Sequence, residues 1–466
     1  MRCHSFSPAL AALVASSAKV AAGLNITNGD PDTLSLAVKQ LSNGVMSIYS
    51  DNRDVDGAGI FPKPYYWWES GVAWDTLVNY WHLTGDTSNN AATQAALAQQ
   101  AGEDDDYLPT NQTLHEMNDD QATWALAAMT AAERGFPVPA DQTPWEEMAR
   151  TVFDSLAARW DTSNCGGGLR WSIFSFNAGY QYKNAISQAM FFQLAARLAR
   201  FTGNQTYIDW AARTYDWSRS SGLIGEHFAV YDGTSVSDNC TRLDHTQWSY
   251  TAASFAYGSA ILANITADSQ WTDRTNSLLD NILKTFFPSN IMTETACEPA
   301  GNCNADQLVF PALTLRWLAH IPVFQPAAVD TLRPALNASA IAAAHQCTVT
   351  KGEGNAAVAE CKNQWSASAN STTDGAGDVD GKTGLGQQLA ALEALQSSTL
   401  IRQPQPDKSS GIPDSSGSNA CIPKSFRSVG KGRIPEMSTS AGPDYLTKDG
   451  SLAHSTARPG IEIRED

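Results

Sequence analysis

Leu83-Thr84-Gly85-Asp86, Phe201-Thr202-Gly203-Asn204 and Ile265-Thr266-Ala267-Asp268 are versions of one short turn, and their placement decides the fold. Each follows a run with apolar residues at helical spacing and leads into another. In the first two, glycine can end a helix in the left-handed conformation, and the Asp or Asn after it can cap the next. Outward from these turns, helical periodicity covers 33–50, 69–83, 121–133, 144–160, 185–201, 207–219, 246–264, 271–287, 305–319 and 384–395. Alternating β-branched runs are scarce. Long loops rich in Gly, Pro and aromatic residues, at 51–66, 161–182 and 222–242, fall at the other end of the hairpins. The pattern predicts an all-α toroid of helical hairpins with its site on the long-loop side. An open α-solenoid is the alternative.

The 466 residues are 42% hydrophobic, enough for a substantial core in one large domain or in two to three smaller ones. A formal net charge of −17 argues against nucleic acid or an anionic membrane as partner. Residues 1–23 read as a signal peptide: Arg2 and His4, an apolar stretch over 9–15, then small residues offering cleavage near Ala22 or Gly23. Lys19 keeps a buried or amphipathic N-terminal helix open as the alternative. No later stretch is apolar for long enough to span a bilayer. Sequons at Asn25, Asn111, Asn204, Asn239, Asn264, Asn337 and Asn370 add to the expectation of secretion. Of the 8 cysteines, Cys3 falls in the signal segment. Spacing favours Cys165–Cys240, Cys297–Cys303 and Cys347–Cys361, with Cys421 left over; spacing alone leaves other pairings open. Residues 24–400 are expected to form the folded domain, and 401–466, where Pro, Ser and Gly dominate and periodicity vanishes, a disordered tail.

Met117-Asn118-Asp119-Asp120-Gln121 opens one of the apolar helices. Asn118 or Asp119 could simply cap it, with the extra acid favourable at the positive end of the helix dipole. The same residues can do more. Glycoside cleavage needs two carboxyl groups, and adjacent residues, about 3.8 Å apart at Cα, can direct diverging carboxylates to either side of an anomeric carbon. The 14 tryptophans are a high count for this length. Trp67, Trp68, Trp171, Trp248 and Tyr250 lie at helix starts or in long loops, where their faces can stack on sugar rings. Core packing competes for many of these rings, and Trp74, inside a helix, is expected in the core. Gly167 and Gly168 permit close approach of the backbone to a ligand, or a tight turn beside a disulfide. Lys183, Asn184, Asp244 and Gln121 are further candidate binding residues, with helix capping the competing role for Asn184 and Asp244. Asp306-Gln307 has the same ambiguity. The acidic run 104–106 reads as a solvated loop rather than a calcium site. No metal-binding or serine-nucleophile motif is present, so no metal or other cofactor is expected.

Pro64-Tyr65-Tyr66-Trp67-Trp68-Glu69-Ser70-Gly71, Thr84-Gly85-Asp86, Asn118-Asp119-Asp120-Gln121, Gly166-Gly167-Gly168-Leu169-Arg170-Trp171, Tyr182-Lys183-Asn184-Ala185, Gln247-Trp248-Ser249-Tyr250 and Cys303-Asn304-Ala305-Asp306-Gln307 occur in that order. The set, spread over 24–398, resembles the fungal cell-wall branch of glycoside hydrolase family seventy-six, the mannan endo-1,6-α-mannosidases. The resemblance implies an (α/α)6 barrel and a retaining mechanism, with Asp119 as nucleophile and Asp120 as general acid/base. It implies α-1,6-linked mannan, or the mannose core of glycosylphosphatidylinositol (GPI) anchor glycans, as substrate. It also implies a transglycosylase alternative, in which GPI-linked glycoproteins pass to cell-wall β-glucan as acceptor. A monomer, secreted and acting in the cell wall, is expected. The chain ends in the polar stretch 458–466, so free secretion is expected rather than membrane anchoring. Two other classes compete. A mannan-binding protein would not need both carboxylates, and a toroidal lyase would need a Tyr or His base and an acidic substrate.

Overall fold

The computed structural model describes residues 24, 26, 30–50, 57–112, 116–362, 364–365 and 383–402. The predicted signal peptide, the tail beyond Arg402, the sequons at Asn25 and Asn370, and Cys3 and Cys421 lie outside them. The described residues form α1 (Pro31–Ser50), α2 (Trp67–Thr84), α3 (Asn90–Gln100), α4 (Asn118–Arg134), α5 (Trp145–Ala158), α6 (Ala185–Thr202), α7 (Gln205–Ser220), α8 (Ser249–Thr266), α9 (Ser269–Phe286), α10 (Phe310–Phe324), α11 (Ala328–His345) and α12 (Leu385–Arg402). The even-numbered helices pack neighbour to neighbour in a closed ring, α12 returning to α2, and the odd-numbered ones pack outside them. This is an (α/α)6 barrel, not an open solenoid.

Burial separates the two rings. In α6 every residue from Ala185 to Ala199 is buried, and in α8 every residue from Ser249 to Leu262. A helix buried all round lies between neighbours on every side. The outer helix α9 instead buries one stripe, Trp271, Thr275, Leu278, Leu279, Ile282 and Phe286. Each large apolar side chain in such a stripe stabilises the packing by roughly 1.5–3 kcal/mol, which fixes the outer helix against the inner one.

The short turns behave as the sequence implies, with differences. Gly85 and Gly203 end α2 and α6 at φ 71°, and Ala267 ends α8 in the same left-handed region without a glycine. Asn204 and Asp268 cap α7 and α9 through the N–H groups of Thr206 and Gln270. Asp86 does not cap α3. It accepts the Tyr80 hydroxyl and pairs with Lys39 at 2.7 Å. Helices α3 and α11 are absent from the ten periodic segments. The first is an Ala- and Gln-rich stretch with little apolar contrast, and the second carries Pro334 inside it. Helix α10 starts at Phe310, five residues later than its periodicity, with Pro311 in its first turn. Helix α12 continues to Arg402, two residues past the expected domain boundary.

The alternation has a geometric consequence. Connections from inner to outer helices are short, so all six inner helices begin at the long-loop end. There, strands β1 (Tyr182–Asn184), β2 (Gly233–Ser235) and β3 (Leu243–Asp244) form a small antiparallel sheet, and β4 (Cys347–Lys351) pairs with β5 (Val358–Cys361). Disulfides Cys165–Cys240, Cys297–Cys303 and Cys347–Cys361, the pairs favoured by spacing, cross-link these loops. Among the described sequons, Asn111, Asn204, Asn239 and Asn264 are exposed. Asn337 is half-buried and accepts a hydrogen bond from Ser398 at 2.8 Å. No described helix is long and apolar enough to cross a membrane.

Deeper in the barrel the inner helices exchange charge. Arg316 of α10 pairs with Asp75 of α2 and, at 2.7 Å, with Glu393 of α12, and donates to the Val72 carbonyl at 3.1 Å. Arg197 of α6 pairs with Glu133 of α4 at 2.9 Å and also donates to Thr130. Arg134 meets His320.

Candidate active site

Asp119 and Asp120 occupy the first turn of α4, and both open into a cavity of about 460 Å³ at the long-loop end. Their surroundings differ. Asn184 caps α6 by accepting from Ser187 N–H, and its amide donates to Asp119 Oδ2 at 3.0 Å. One side chain thus caps α6 and positions Asp119. Asp119 Oδ1 has no hydrogen-bonding partner. Burial raises the Asp119 pKa, while backbone N–H groups, the Asn184 amide and the Trp171 indole counteract the rise. Met117 is the N-cap of α4, and Asp120 Oδ2 reaches back from the third helical position to accept its N–H at 2.9 Å; neither Asn118 nor Asp119 caps the helix. Burial and the facing charge of Asp119 raise the Asp120 pKa well above the carboxylate range. Of the pair, Asp120 is the one held protonated and Asp119 the one that ionises first.

Aromatic rings and acids make up much of the wall. Trp67 stacks on Trp124 with centroids 5.1 Å apart, and Tyr250 stacks on Phe310 at 3.9 Å. Trp68 donates to Asp306 at 3.1 Å, and Trp248 to Asp232 at 2.8 Å. Trp171 lines the same space. No Lys, Arg or His is among the described lining residues. Trp74 lies in the core, its indole donating to the Gly59 carbonyl at 2.7 Å.

Six of the expected binding residues do not line this cavity. Asn118 donates to the Arg170 carbonyl at 2.8 Å and accepts from Arg159 at 2.8 Å. Gln121 donates to the Asp106 carbonyl at 2.7 Å and accepts from Arg159. They brace the motif from behind. Gly167 and Gly168 make their close approach to the indole of Trp217; a Cβ on Gly168 would lie 2.5 Å from that ring. Lys183 is buried, pairs with Asp161 at 3.2 Å, and donates to the Asn164 carbonyl at 2.9 Å and the Gly167 carbonyl at 2.5 Å. Asp244 is exposed on β3, five residues before α8. Its backbone carbonyl accepts from Asp232 N–H at 3.1 Å, so it positions an acid that does line the cavity.

Glu116 and Asp232, which are not among the residues expected from the sequence, also line the cavity, as does Asp306. Glu116 is 2% exposed, and neither carboxyl oxygen has a hydrogen-bonding partner. Burial and the charge of Asp120 push its pKa up to about 9, so it is a neutral acid in the cavity wall. Its position, three residues before Asp119, was the available signal. Asp232 had none, because only the sheet carries it to the rim.

Buried acids set a direction for pH-dependent stability. Glu69 and Glu294 are each pushed up from 4.5 to about 8, chiefly by burial. Between those values the folded state keeps protons on these acids that the unfolded chain has released, so they make stability fall as pH rises from about 4.5 to about 8, while His82 and His320, pushed down by burial, act the other way up to about 6.5. Asp86 and Asp161 are held low by Lys39 and Lys183, and their contribution changes only at more acid pH. Between about pH 6.5 and 8, where only the acids contribute, thermal unfolding is expected to show a falling Tm. A rising one would contradict the burial of neutral acids.

The family profile described as glycosyl hydrolase family 76 matches residues 33–410. The chain is 41% identical over 378 residues to mannan endo-1,6-alpha-mannosidase DCW1 of Saccharomyces cerevisiae, covering 80% of this chain and 81% of that one. It is 39% identical over 401 residues to the protein of the same name from Candida glabrata, covering 85% and 86%. Among solved structures, Dfg5 from Chaetomium thermophilum in complex with glucosamine superposes with a TM-score of 0.74 at 38% identity, covering 82% of this chain and 93% of that one. An inactive variant of an alpha-1,6-mannanase from a Salegentibacter species, in complex with alpha-1,6-mannotriose, shares the fold at 14% identity with a TM-score of 0.61, covering 79% and 99%. The profile spans every inner helix of the barrel, including the turn that carries the two carboxyl groups, and on that ground the chain belongs to glycosyl hydrolase family 76 and is a glycoside hydrolase.

Proposed function

We propose that this chain is a secreted, monomeric endo-α-1,6-mannosidase of the fungal cell wall. It cleaves α-1,6-mannan or the mannose core of GPI-anchor glycans with retention of configuration. The observation that carries the reading is the pair Asp119 and Asp120, adjacent in one helical turn, open to one cavity and held at unequal acidity. The names of the fungal relatives support the substrate class.

In the first step Asp119 Oδ1 bonds to the anomeric carbon while Asp120 gives its proton to the departing glycosidic oxygen. The product is a β-mannosyl ester on Asp119. In the second step Asp120, now ionised, takes a proton from water, the oxygen bonds to the anomeric carbon, and the Asp119 ester breaks. A sugar hydroxyl in place of that water gives transglycosylation, and β-glucan is the acceptor of that alternative. Proton NMR on α-1,6-mannan should show the α-anomer first, since two inversions restore the starting configuration. Mass spectrometry with an anchor glycan and β-glucan together reads the acceptor. A first product with β configuration would overturn the mechanism.

The same pair predicts the pH profile. Activity needs one proton on the two groups, so kcat/KM should be bell-shaped, with the pair's two macroscopic pKa values as its limbs. Both are raised, so the acid limb should lie above the ordinary carboxylate range. With an activated aryl mannoside, Asp120→Asn should abolish the alkaline limb, because the leaving group no longer needs a proton. An acid limb at the ordinary aspartate value would contradict the raised pair.

A further inference from the structure

The loop over 171–182 leaves and returns at the cavity rim. Trp171 and Tyr182 both line the cavity, and Trp171 N–H donates to the Tyr182 carbonyl at 2.7 Å. Between them the sequence Ser-Ile-Phe-Ser-Phe-Asn-Ala-Gly-Tyr-Gln carries no charge, in a chain of net charge −17. Phe174 and Phe176 stack on each other, centroids 5.4 Å apart and 13° from parallel. Phe176 is 68% exposed, and neither ring joins the hydrophobic core. The exposed aromatic residues among the described ones are Tyr66, Trp171 and Phe176, and the first two line the cavity. Scattered exposed apolar residues need no explanation, but a cluster at a site mouth does.

The loop is also held in shape. Arg170 donates to the Tyr180 carbonyl at 2.8 Å and lays its guanidinium over the Tyr180 ring. Ser172 Oγ donates to the Phe174 carbonyl at 3.1 Å, tying the loop to itself beside the Phe pair. Gly179, at φ 88°, lets the chain close on Trp171, where a Cβ would lie 2.5 Å from the indole. Aromatic faces already ordered cost little further entropy on binding.

We infer that Phe174 and Phe176 form a second sugar-binding platform outside the cavity, taking further residues of a neutral hexopyranose chain. The inference rests on the reading of the cavity as a mannan-cleaving site. Pyranose rings present flat C–H faces, and an uncharged aromatic shelf recognises those without selecting for an ionic group. Continuity with the cavity through Trp171 and Tyr182 points to a chain that threads both. That chain is either the mannan extending from the cleaved bond or a β-glucan acceptor.

The test is the F174A/F176A double variant of the full chain, with kinetics on long α-1,6-mannan and on a short aryl α-mannoside. Electrophoretic retardation in soluble α-1,6-mannan and in soluble β-glucan is measured alongside. If the platform holds the mannan, KM for the long mannan should rise about tenfold, the scale of one aromatic stack, with kcat unchanged and the short substrate unaffected; if it holds the acceptor, KM stays and retardation in β-glucan is lost. Loss of retardation in mannan assigns the platform to the donor, and loss in β-glucan assigns it to the acceptor. Unchanged KM and unchanged retardation would overturn the inference. So would loss of binding to neutral phospholipid vesicles with all glycan measurements unchanged. Absence of turnover by the unmodified chain on either substrate would instead defeat the cleavage reading, and retardation would still decide the platform.

Discussion

Asp119→Asn is expected to lower kcat/KM on α-1,6-mannan by about 10⁴ or more, the scale seen when a nucleophile is removed from an enzyme that works by covalent catalysis. Asp119 lines the cavity, its buried Oδ1 has no hydrogen-bonding partner, and its Oδ2 is held by Asn184. An amide oxygen cannot form the ester, yet it fits the same space, so the fold should be kept. Azide separates the two aspartates more sharply. In Asp119→Ala it should attack the substrate directly and give the β-mannosyl azide. In Asp120→Ala the ester still forms, and azide should displace it to give the α-mannosyl azide. NMR distinguishes the two products. Near-normal turnover by Asp119→Asn, or the same anomer from both alanine variants, would exclude the assignment.

Arg316→Met is expected to destabilise the barrel by about 3–5 kcal/mol, the cost of leaving buried charges without their partner. Arg316 is 3% exposed, and its departure strands Asp75 and Glu393, on two other inner helices. With an unfolding entropy of about 2.1 cal/mol/K per residue, such a loss lowers Tm by roughly 5 °C. Arg316, Asp75 and Glu393 lie six to eight residues into their helices, and at about 1.5 Å per residue that places them roughly 9–12 Å below the helix starts that frame the cavity. The loss should therefore appear in calorimetry, with kcat on short aryl mannosides at low temperature little changed. An unchanged Tm would show that the three charges do not hold these helices together.

How much was legible follows from how each residue acts. The toroid could be read because helix caps and helical periodicity are local. Gly203 with Asn204 closes one helix and opens the next whatever lies beyond. Helix α11 was illegible for the opposite reason. Pro334 argues locally against it, and packing on α10 and α12 overrides that argument. The adjacent acids were legible because one turn of α4 holds both. Lys183 misled because polar residues at a helix start suit a ligand and a neighbouring loop equally well. Three backbone carbonyls and Asp161 claim its amine.

By itself the sequence determined the helical hairpins and the carboxylate pair, since each depends on residues close along the chain, while for the cysteines it favoured pairs that the fold then decided. Only the tertiary structure decided that the ring closes from α12 to α2, that Glu116, Asp232 and Asp306 share the cavity with Asp119 and Asp120, and that Gly168 serves Trp217. The unequal acidity of the two aspartates was settled at the same level. It arises from burial, from an Asn184 amide 65 residues away, and from Asp306 on the far side of the ring. Electrostatic fields act through space and not along the chain, so no local pattern of residues encodes them.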